Sequence, residues 1–178
     1  MFPLETTNFL LALGTIALQI AGVLCLLLFF FRKNLPGFEH IVAFIREWGL
    51  ALGLALTVVA SALTLYYSDI LGIPPCPLCW WQRIFLYPQV ILFALALWRK
   101  ERFIADYSIV LSVIGLGFAL YHHCLQVLPS GSLPCPAEGT VSCAQRFMFE
   151  FGYITYPLMA ASLFVFLIAL MLFVRKRG

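Results

Sequence analysis

Residues 9–31 read FLLALGTIALQIAGVLCLLLFFF, and the only ionisable group in this run is the thiol of Cys25. A helix needs about 20 apolar residues to cross the hydrocarbon core of a bilayer, so the run predicts a transmembrane helix. A cleaved signal peptide would instead carry positive charge before a shorter apolar run. Because residues 1–8 contain no Lys or Arg, we expect a membrane span at Phe9–Phe31.

The rest of the chain is similarly apolar. Of its 178 residues, 63% are hydrophobic and only 11% are charged, whereas about 25% of the residues in an average soluble domain are charged. This composition excludes a soluble enzyme, a disordered chain and a nucleic-acid-binding protein. The net charge of +3 is too small to indicate an electrostatic partner. The sequence therefore predicts a membrane protein.

Four further apolar runs are long enough to be spanning helices. They cover Gly49–Tyr67, Cys79–Trp98, Ile104–Tyr121 and Phe151–Val174. Transmembrane β-strands would show alternating apolar and polar residues over about ten positions, and the sequence lacks this pattern. We therefore expect an all-α membrane protein with five spans. The segment Ile41–Trp48, before the second run, is expected to form a short surface helix.

Positive charges are concentrated in three segments that five spans would place on one face of the membrane. These segments hold nine of the eleven cationic residues, namely Arg32, Lys33, Arg46, Arg99, Lys100, Arg102, Arg175, Lys176 and Arg177. Because cytoplasmic loops carry an excess of Lys and Arg, we expect this face to be cytoplasmic, with the N-terminus outside and the C-terminus inside. Only Arg83 and Arg146 would lie towards the opposite face.

The expected topology separates the cysteines. Cys25 lies within the first span, where a cysteine is usually a small packing residue. The remaining cysteines fall on or near the two outward loops, and the outer face of a cell membrane is an oxidising compartment in which disulfides persist. We interpret Cys124 as an unpaired structural thiol. The cysteines that form local pairs in the sequence are Cys76 with Cys79 and Cys135 with Cys143.

The first pair lies at a predicted helix start. Pro74–Pro75 keeps the preceding chain extended, so Cys76 is expected at the N-cap and Pro77 at the first helical position, where its missing N–H costs nothing. Cys79 then lies among the free amides of the first turn, with Arg83 one turn later on the same face. We expect both features to stabilise the Cys79 thiolate. A Cys-x-x-Cys spacing is typical of redox-active pairs, and its position at the membrane interface favours an electron acceptor dissolved in the lipid.

The second pair closes a short loop, residues 135–143, which reads CPAEGTVSC. Prolines and glycines in and before this loop give it reach and flexibility, which suits a disulfide that is presented to another protein. A purely structural disulfide would explain the loop equally well. The presence of two cysteine pairs on one face favours the redox interpretation.

Two histidines, His122 and His123, lie with Gln126 near the outer end of the fourth span. An imidazole at this depth can donate a hydrogen bond to a quinone carbonyl. Polar side chains that simply meet water at the end of a helix would give the same pattern. The residues alone leave both interpretations open.

A family resemblance follows from these motifs. Residues 76–88, CPLCWWQRIFLYP, resemble the Cys-x-x-Cys, aromatic, Gln/Glu-Arg and Tyr-Pro segment of the DsbB/BdbC disulfide-bond-forming membrane oxidoreductases. The second cysteine loop, followed by FGYITYP at residues 151–157, resembles the short-loop, BdbC-like branch. The resemblance covers about residues 48–174. It implies a four-helix transmembrane bundle with one extra N-terminal helix, and it divides the chain into residues 1–47, a helix and cytoplasmic connector, and residues 48–178, a redox domain.

The resemblance also implies an activity. Such a protein reoxidises a DsbA-like thioredoxin-fold oxidase and passes the electrons to ubiquinone or menaquinone. It would lie in a bacterial inner membrane with its cysteine loops on the extracytoplasmic face. Cys135 would form the mixed disulfide with the partner, and Cys143 would then attack Cys76. The implied disulfides are Cys76–Cys79 and Cys135–Cys143, and the residues implied at the quinone are Cys79, Arg83 and one of His122 and His123.

The alternative from a different class is a metal-binding membrane protein, with a zinc site formed by Cys76, Cys79, Cys135 and Cys143. Structural zinc sites usually use cysteines two to four residues apart, so the wider second pair is unfavourable. A transporter would usually carry acidic residues at mid-membrane, whereas Asp69 and Asp106 lie at the ends of spans. A quinone-linked reductase similar to vitamin K epoxide reductase has a motif context that fits less well.

Overall fold

The structure is a computed structural model that describes residues 4–32, 37–129, 133–134 and 141–175. The described residues contain five α-helices, and a π-helical turn, Tyr66–Ile70, continues the second of them. All five helices are long and apolar enough to cross a membrane. The prediction of an all-α membrane protein with five spans is therefore confirmed, while the direction in which they cross stays a prediction. The helices are α1 (Leu4–Phe31), α2 (Glu39–Leu65), α3 (Pro77–Arg99), α4 (Ile104–Val127) and α5 (Tyr156–Val174).

Helices α2 to α5 form a closed four-helix bundle. Each of them packs on the next along the chain, and α5 packs back on α2. Helix α1 packs on the outside of this bundle, along α5. As a result α5 has neighbours on three sides and is the most buried of the five spans. The expected four-helix bundle with one extra N-terminal helix is therefore confirmed.

Close packing between α4 and α5 depends on a glycine. A Cβ atom at Gly115 would lie 2.5 Å from Cζ of Phe164, well inside van der Waals contact. Small residues at such positions let membrane helices approach closely. Nearer the start of α4, Gln89 of α3 joins the two helices, because its Oε1 accepts a hydrogen bond of 2.6 Å from Ser108 Oγ. These contacts fix α3, α4 and α5 relative to one another.

The start of α2 differs from the prediction. Ile41–Trp48 does not form a separate surface helix, because α2 begins at Glu39 and runs through this segment. The reason is that Ile45 and Leu50 lie on one buried face with Gly49, so the apolar pattern of a core-facing helix already includes these residues. Helix α2 also crosses the expected boundary between residues 47 and 48.

The end of α4 and the start of α5, on either side of the second cysteine loop, also differ from the prediction. Helix α4 continues to Val127 and not only to Tyr121. Helix α5 begins at Tyr156 because Thr155 caps it, its hydroxyl accepting a hydrogen bond from the backbone N–H of Leu158 at 3.4 Å. Before this cap, Phe151 and the glycine after it have positive φ angles of 52° and 76°, so the predicted start of the span at residue 151 is wrong.

Candidate functional site

The first cysteine pair lies at the start of α3, as predicted. Cys76 is the N-cap, Pro77 follows at the first position, and Cys76 Sγ accepts a hydrogen bond of 3.4 Å from the backbone N–H of Cys79. The two Sγ atoms are 3.0 Å apart and both residues are thiols in this structure. The structure therefore shows the dithiol form of the pair. The disulfide Cys76–Cys79 stays a prediction.

Hydrogen bonds in the dithiol form converge on Cys76. The hydrogen bond to the Cys79 thiol contributes most to lowering the pKa of Cys76, and His122 adds to this, against the opposing effect of burial. We expected the thiolate on Cys79, but an N-cap side chain, not a side chain at the third position, points back at the free amides of the first turn. The geometry therefore favours Cys76 as the thiolate of the dithiol form.

A lowered pKa predicts how the reactivity of Cys76 depends on pH. Above the ordinary thiol pKa, about 8.5, the Cys76 thiolate contributes its full stabilisation to the folded dithiol form. This stabilisation is lost as the pH falls through the lowered pKa of Cys76. We expect iodoacetamide to alkylate Cys76 of the reduced protein well below pH 8, as read by mass spectrometry. His122→Leu should shift the pH dependence of Cys76 alkylation to higher pH. His123→Leu is the matched control, and an unmoved profile in His122→Leu would contradict the assignment.

His122 connects the two cysteine segments. Its side chain is buried in α4, and Nε2 lies 3.1 Å from the carbonyl oxygen of Cys143 and 3.6 Å from Cys76 Sγ. Because a carbonyl oxygen only accepts, Nε2 carries the proton. Nδ1 then accepts from the side-chain amide of Gln82, at 2.9 Å. One imidazole thus bridges α3 and the second cysteine loop.

The second loop brings Cys143 against the first pair. Cys143 is fully buried and packs in one cluster with Cys76 and Leu78. It is disulfide-bonded, whereas Cys135 lies outside the described residues, and so does the predicted pairing of the two. The described part of the loop therefore places a disulfide sulfur beside the N-cap thiol, as exchange between two cysteine pairs requires.

Arg83 is buried within α3 near the same site. Its Nη2 donates a hydrogen bond of 2.8 Å to the carbonyl oxygen of Thr64, and its guanidinium lies 5.0 Å from the ring centroid of Trp80. No carboxylate among the described residues forms an ion pair with it, since their one salt bridge joins Arg175 to Asp106. A buried cation inside a membrane span is costly without a partner, so Arg83 is suited to bind a ligand oxygen that carries negative charge.

A cavity of about 370 Å³ begins at these residues. Cys76, Cys79, Arg83 and His122 line one part of it together with other polar side chains and residues beside Cys143. Apolar side chains from α1, α2 and α5 line another part. This volume falls within the range of small-molecule sites, about 300–1,000 Å³. We call the part lined by Cys76, Cys79, Arg83 and His122 the polar head, and the part lined by apolar side chains the apolar channel. This combination fits an amphipathic ring with an apolar tail, which is the chemistry of a membrane quinone.

The structure distinguishes the two histidines that the sequence left open. His122 lines the cavity, whereas His123 is not among the lining residues and its Nδ1 lies 2.9 Å from Thr155 Oγ1, at the cap of α5. Of the unpaired cysteines, Cys124 is exposed and Cys25 packs against the core from α1. Sequence reasoning missed Gln82, although its spacing of three residues from Cys79 predicts a shared helix face.

A metal could be held by three of these residues. The ligand atoms of Cys76, Cys79 and His122 all lie within 4.8 Å of one another, and this group includes no further His, Cys, Asp or Glu from the described part of the chain. Zinc accepts both thiolate and imidazole. A cysteine in a disulfide offers no thiolate, however, so Cys143 is not available for the four-cysteine site considered from the sequence.

The family model and two relatives that match this chain are described as disulfide formation proteins. The family model described as disulfide bond formation protein DsbB matches residues 46–174. "Probable disulfide formation protein C" of Halalkalibacterium halodurans is 37% identical over 130 residues, covering 72% of this chain and 95% of the relative. "SPbeta prophage-derived disulfide bond formation protein B" of Bacillus subtilis is 40% identical over 124 residues, covering 68% and 83% respectively. No solved structure gives a significant match.

Proposed function

This chain belongs to the DsbB family of disulfide bond formation proteins, and we propose that it reoxidises a DsbA-like thioredoxin-fold oxidase and passes the electrons to a membrane quinone. The observation that carries the proposal is the convergence of Cys76, Cys79 and the Cys143 segment around His122, at the polar head of an apolar cavity. Thiol chemistry and a site for a lipid-soluble oxidant thus lie together.

The proposed relay consists of thiol–disulfide exchanges. A thiolate of the partner attacks Cys135 of the Cys135–Cys143 disulfide, and the Cys143 thiolate leaves. The second thiol of the partner resolves this mixed disulfide, and the partner departs oxidised. Cys143 attacks Cys76 of the Cys76–Cys79 disulfide, and Cys79 leaves as a thiolate. The Cys135 thiolate then attacks Cys143 of the resulting Cys76–Cys143 disulfide, which restores Cys135–Cys143 and releases Cys76 as a thiolate beside Cys79. A bound quinone would accept the two electrons and two protons of this dithiol, which restores the Cys76–Cys79 disulfide.

The described residues support individual steps of this relay. His122 Nε2–H donates to the carbonyl oxygen of Cys143 and holds this segment against Cys76. Arg83 offers its guanidinium at the cavity, where it would bind a quinone oxygen and attract the negative charge that forms during reduction. A bound quinone supplies the oxidising power, which no side chain of the protein provides.

We also propose the membrane arrangement expected from the sequence. The cysteine loops would lie on the extracytoplasmic face of a bacterial inner membrane, with the cation-rich segments in the cytoplasm. In this arrangement the redox chemistry belongs to residues 48–178. Residues 1–47 would contribute the first helix and a cytoplasmic connector.

Differential alkylation followed by mass spectrometry without reduction tests this function. After anaerobic incubation with excess quinone, Cys76 and Cys79 should resist alkylation, and so should Cys135 and Cys143. Reduced partner, added without quinone, should make all four alkylatable. Cys124, an exposed thiol, should react throughout. Four thiols that never oxidise, with zinc bound, would contradict the relay and support the metal-binding alternative.

A further inference from the structure

Helix α1 lies outside residues 46–174, the range that matches the family model, yet it forms one wall of the cavity. Leu11, Gly14, Thr15 and Leu18 line the cavity from α1. Their spacing of three, four and seven residues from the first is that of one helix face. The wall is therefore a continuous stripe of α1 and not a single incidental contact.

Polar contacts fix α1 in this position. Asn8 is 7% exposed, and its Oδ1 accepts hydrogen bonds from the hydroxyls of Tyr67 at 2.7 Å and Tyr156 at 3.1 Å. Further along α1, Gln19 Nε2 donates a hydrogen bond of 3.0 Å to Ser162 Oγ of α5. Side-chain amides within a membrane span are unfavourable without partners. These pairings therefore hold α1 against α5 and the outer end of α2 in one register.

The cavity extends from its polar head between α1 and α2. Arg83 is bonded to the carbonyl oxygen of Thr64, which places the head at the level of Thr64 on α2. From there the lining continues along α2 to Leu56, a rise of about 12 Å at 1.5 Å per residue. Val59, which is 56% exposed, also lines it. The apolar channel thus opens at the bundle surface that faces lipid.

We propose that the groove between α1 and α2 binds the isoprenoid tail of the quinone, and that α1 makes the site selective for tailed over tail-less quinones. This inference rests on the proposed function. Cys76, Cys79 and His122 line the cavity with Arg83, and apolar side chains of α1 and α2 line it further on. The apolar tail of a ring whose oxygen meets Arg83 would therefore follow the apolar lining. The same channel guides a tailed quinone from the lipid to the thiols.

Gly14 provides a direct test of the groove. A Cβ atom at Gly14 would meet nothing within 4 Å, so a larger side chain there enters the groove without clashing with the protein. Gly117 of α4 has equally open surroundings, and it is not among the residues that line the cavity. Gly14→Leu therefore narrows the groove, and Gly117→Leu is its matched control on another face of the bundle.

The measured quantity is the ratio of the KM for a quinone with a long isoprenoid tail to the KM for a tail-less quinone. We expect Gly14→Leu to raise this ratio about tenfold, as one misplaced group in an apolar pocket can do, and Gly117→Leu to leave it unchanged. Gly14→Ala should give a smaller rise in the same direction, and it keeps the test available if the leucine variant does not fold.

Failure of this inference is distinguishable from failure of the proposed function. If the wild type reduces both quinones but neither Gly14 variant changes the KM ratio, the groove does not hold the tail, and a lipid acyl chain is its better occupant. If the wild type reduces neither quinone, the proposed function and the groove are both overturned. A rise that is equal in Gly14→Leu and Gly117→Leu also overturns the groove, since the effect is then unspecific.

Discussion

Cys79→Ser should abolish quinone reduction, while Cys135 should still be trapped as a mixed disulfide with a reduced partner whose second cysteine is replaced by serine. Serine cannot form a disulfide with Cys76, so electrons that enter the second loop have no route to the cavity. We expect turnover to fall by about three orders of magnitude or more, as for loss of other essential nucleophiles. The measurements are quinone absorbance during turnover and a non-reducing gel for the trapped complex.

Cys124→Ser is the matched control for this variant. Cys124 is an exposed free thiol near the end of α4, and it does not line the cavity. Its replacement by serine should leave turnover and trapping as in the wild type. Normal quinone reduction by Cys79→Ser would refute the order of events that we propose.

Arg83→Ala should raise the KM for quinone about ten- to hundredfold. A hydrogen bond from a charged donor contributes about 1.5–3 kcal/mol, and each 1.4 kcal/mol changes an affinity tenfold. The guanidinium lies at the cavity, and among the described residues it donates its hydrogen bond to the carbonyl oxygen of Thr64 and not to a sulfur. Exchange between the partner and the cysteine loops should therefore continue, as measured by stopped-flow formation of the mixed disulfide.

Arg146→Ala is the control for removing a cation near the same end of the bundle. Arg146 is exposed and its guanidinium lies 5.0 Å from the ring centroid of Phe149, outside the cavity lining. Its replacement should leave the quinone KM unchanged. Equal quinone kinetics in Arg83→Ala and the wild type would remove Arg83 from the proposed site.

The sequence predicted the five spans well because hydropathy is a property of each run by itself. The N-cap at Cys76 was also predictable, since Pro77 and the preceding prolines act locally. Helix ends were less predictable. Whether α2 begins at Glu39 depends on burial of Ile45 against the bundle, and the end of α4 at Val127 depends on buried partners for His122 and Gln126. These are tertiary contacts that no local pattern contains.

The site was predicted in its residue types but not in its arrangement. Adjacent residues on a helix point about 100° apart, so only packing shows that His122 faces the thiols and His123 faces Thr155. The contribution of α1 to the cavity lining was not predicted either. Asn8 and Gln19 were the available signals, because amides in an apolar run require partners, but their partners Tyr67, Tyr156 and Ser162 come from distant parts of the chain.

In the proposed relay, electrons from a protein dithiol reach a quinone through Cys76 and Cys79. Its most direct test is the anaerobic stoichiometry of purified protein in lipid nanodiscs, with a reduced thioredoxin-fold dithiol and a long-tailed quinone. We expect one quinol to form for each disulfide that forms in the partner. Oxidation of the partner without quinol formation, or quinol formation that persists in Cys79→Ser, would contradict it.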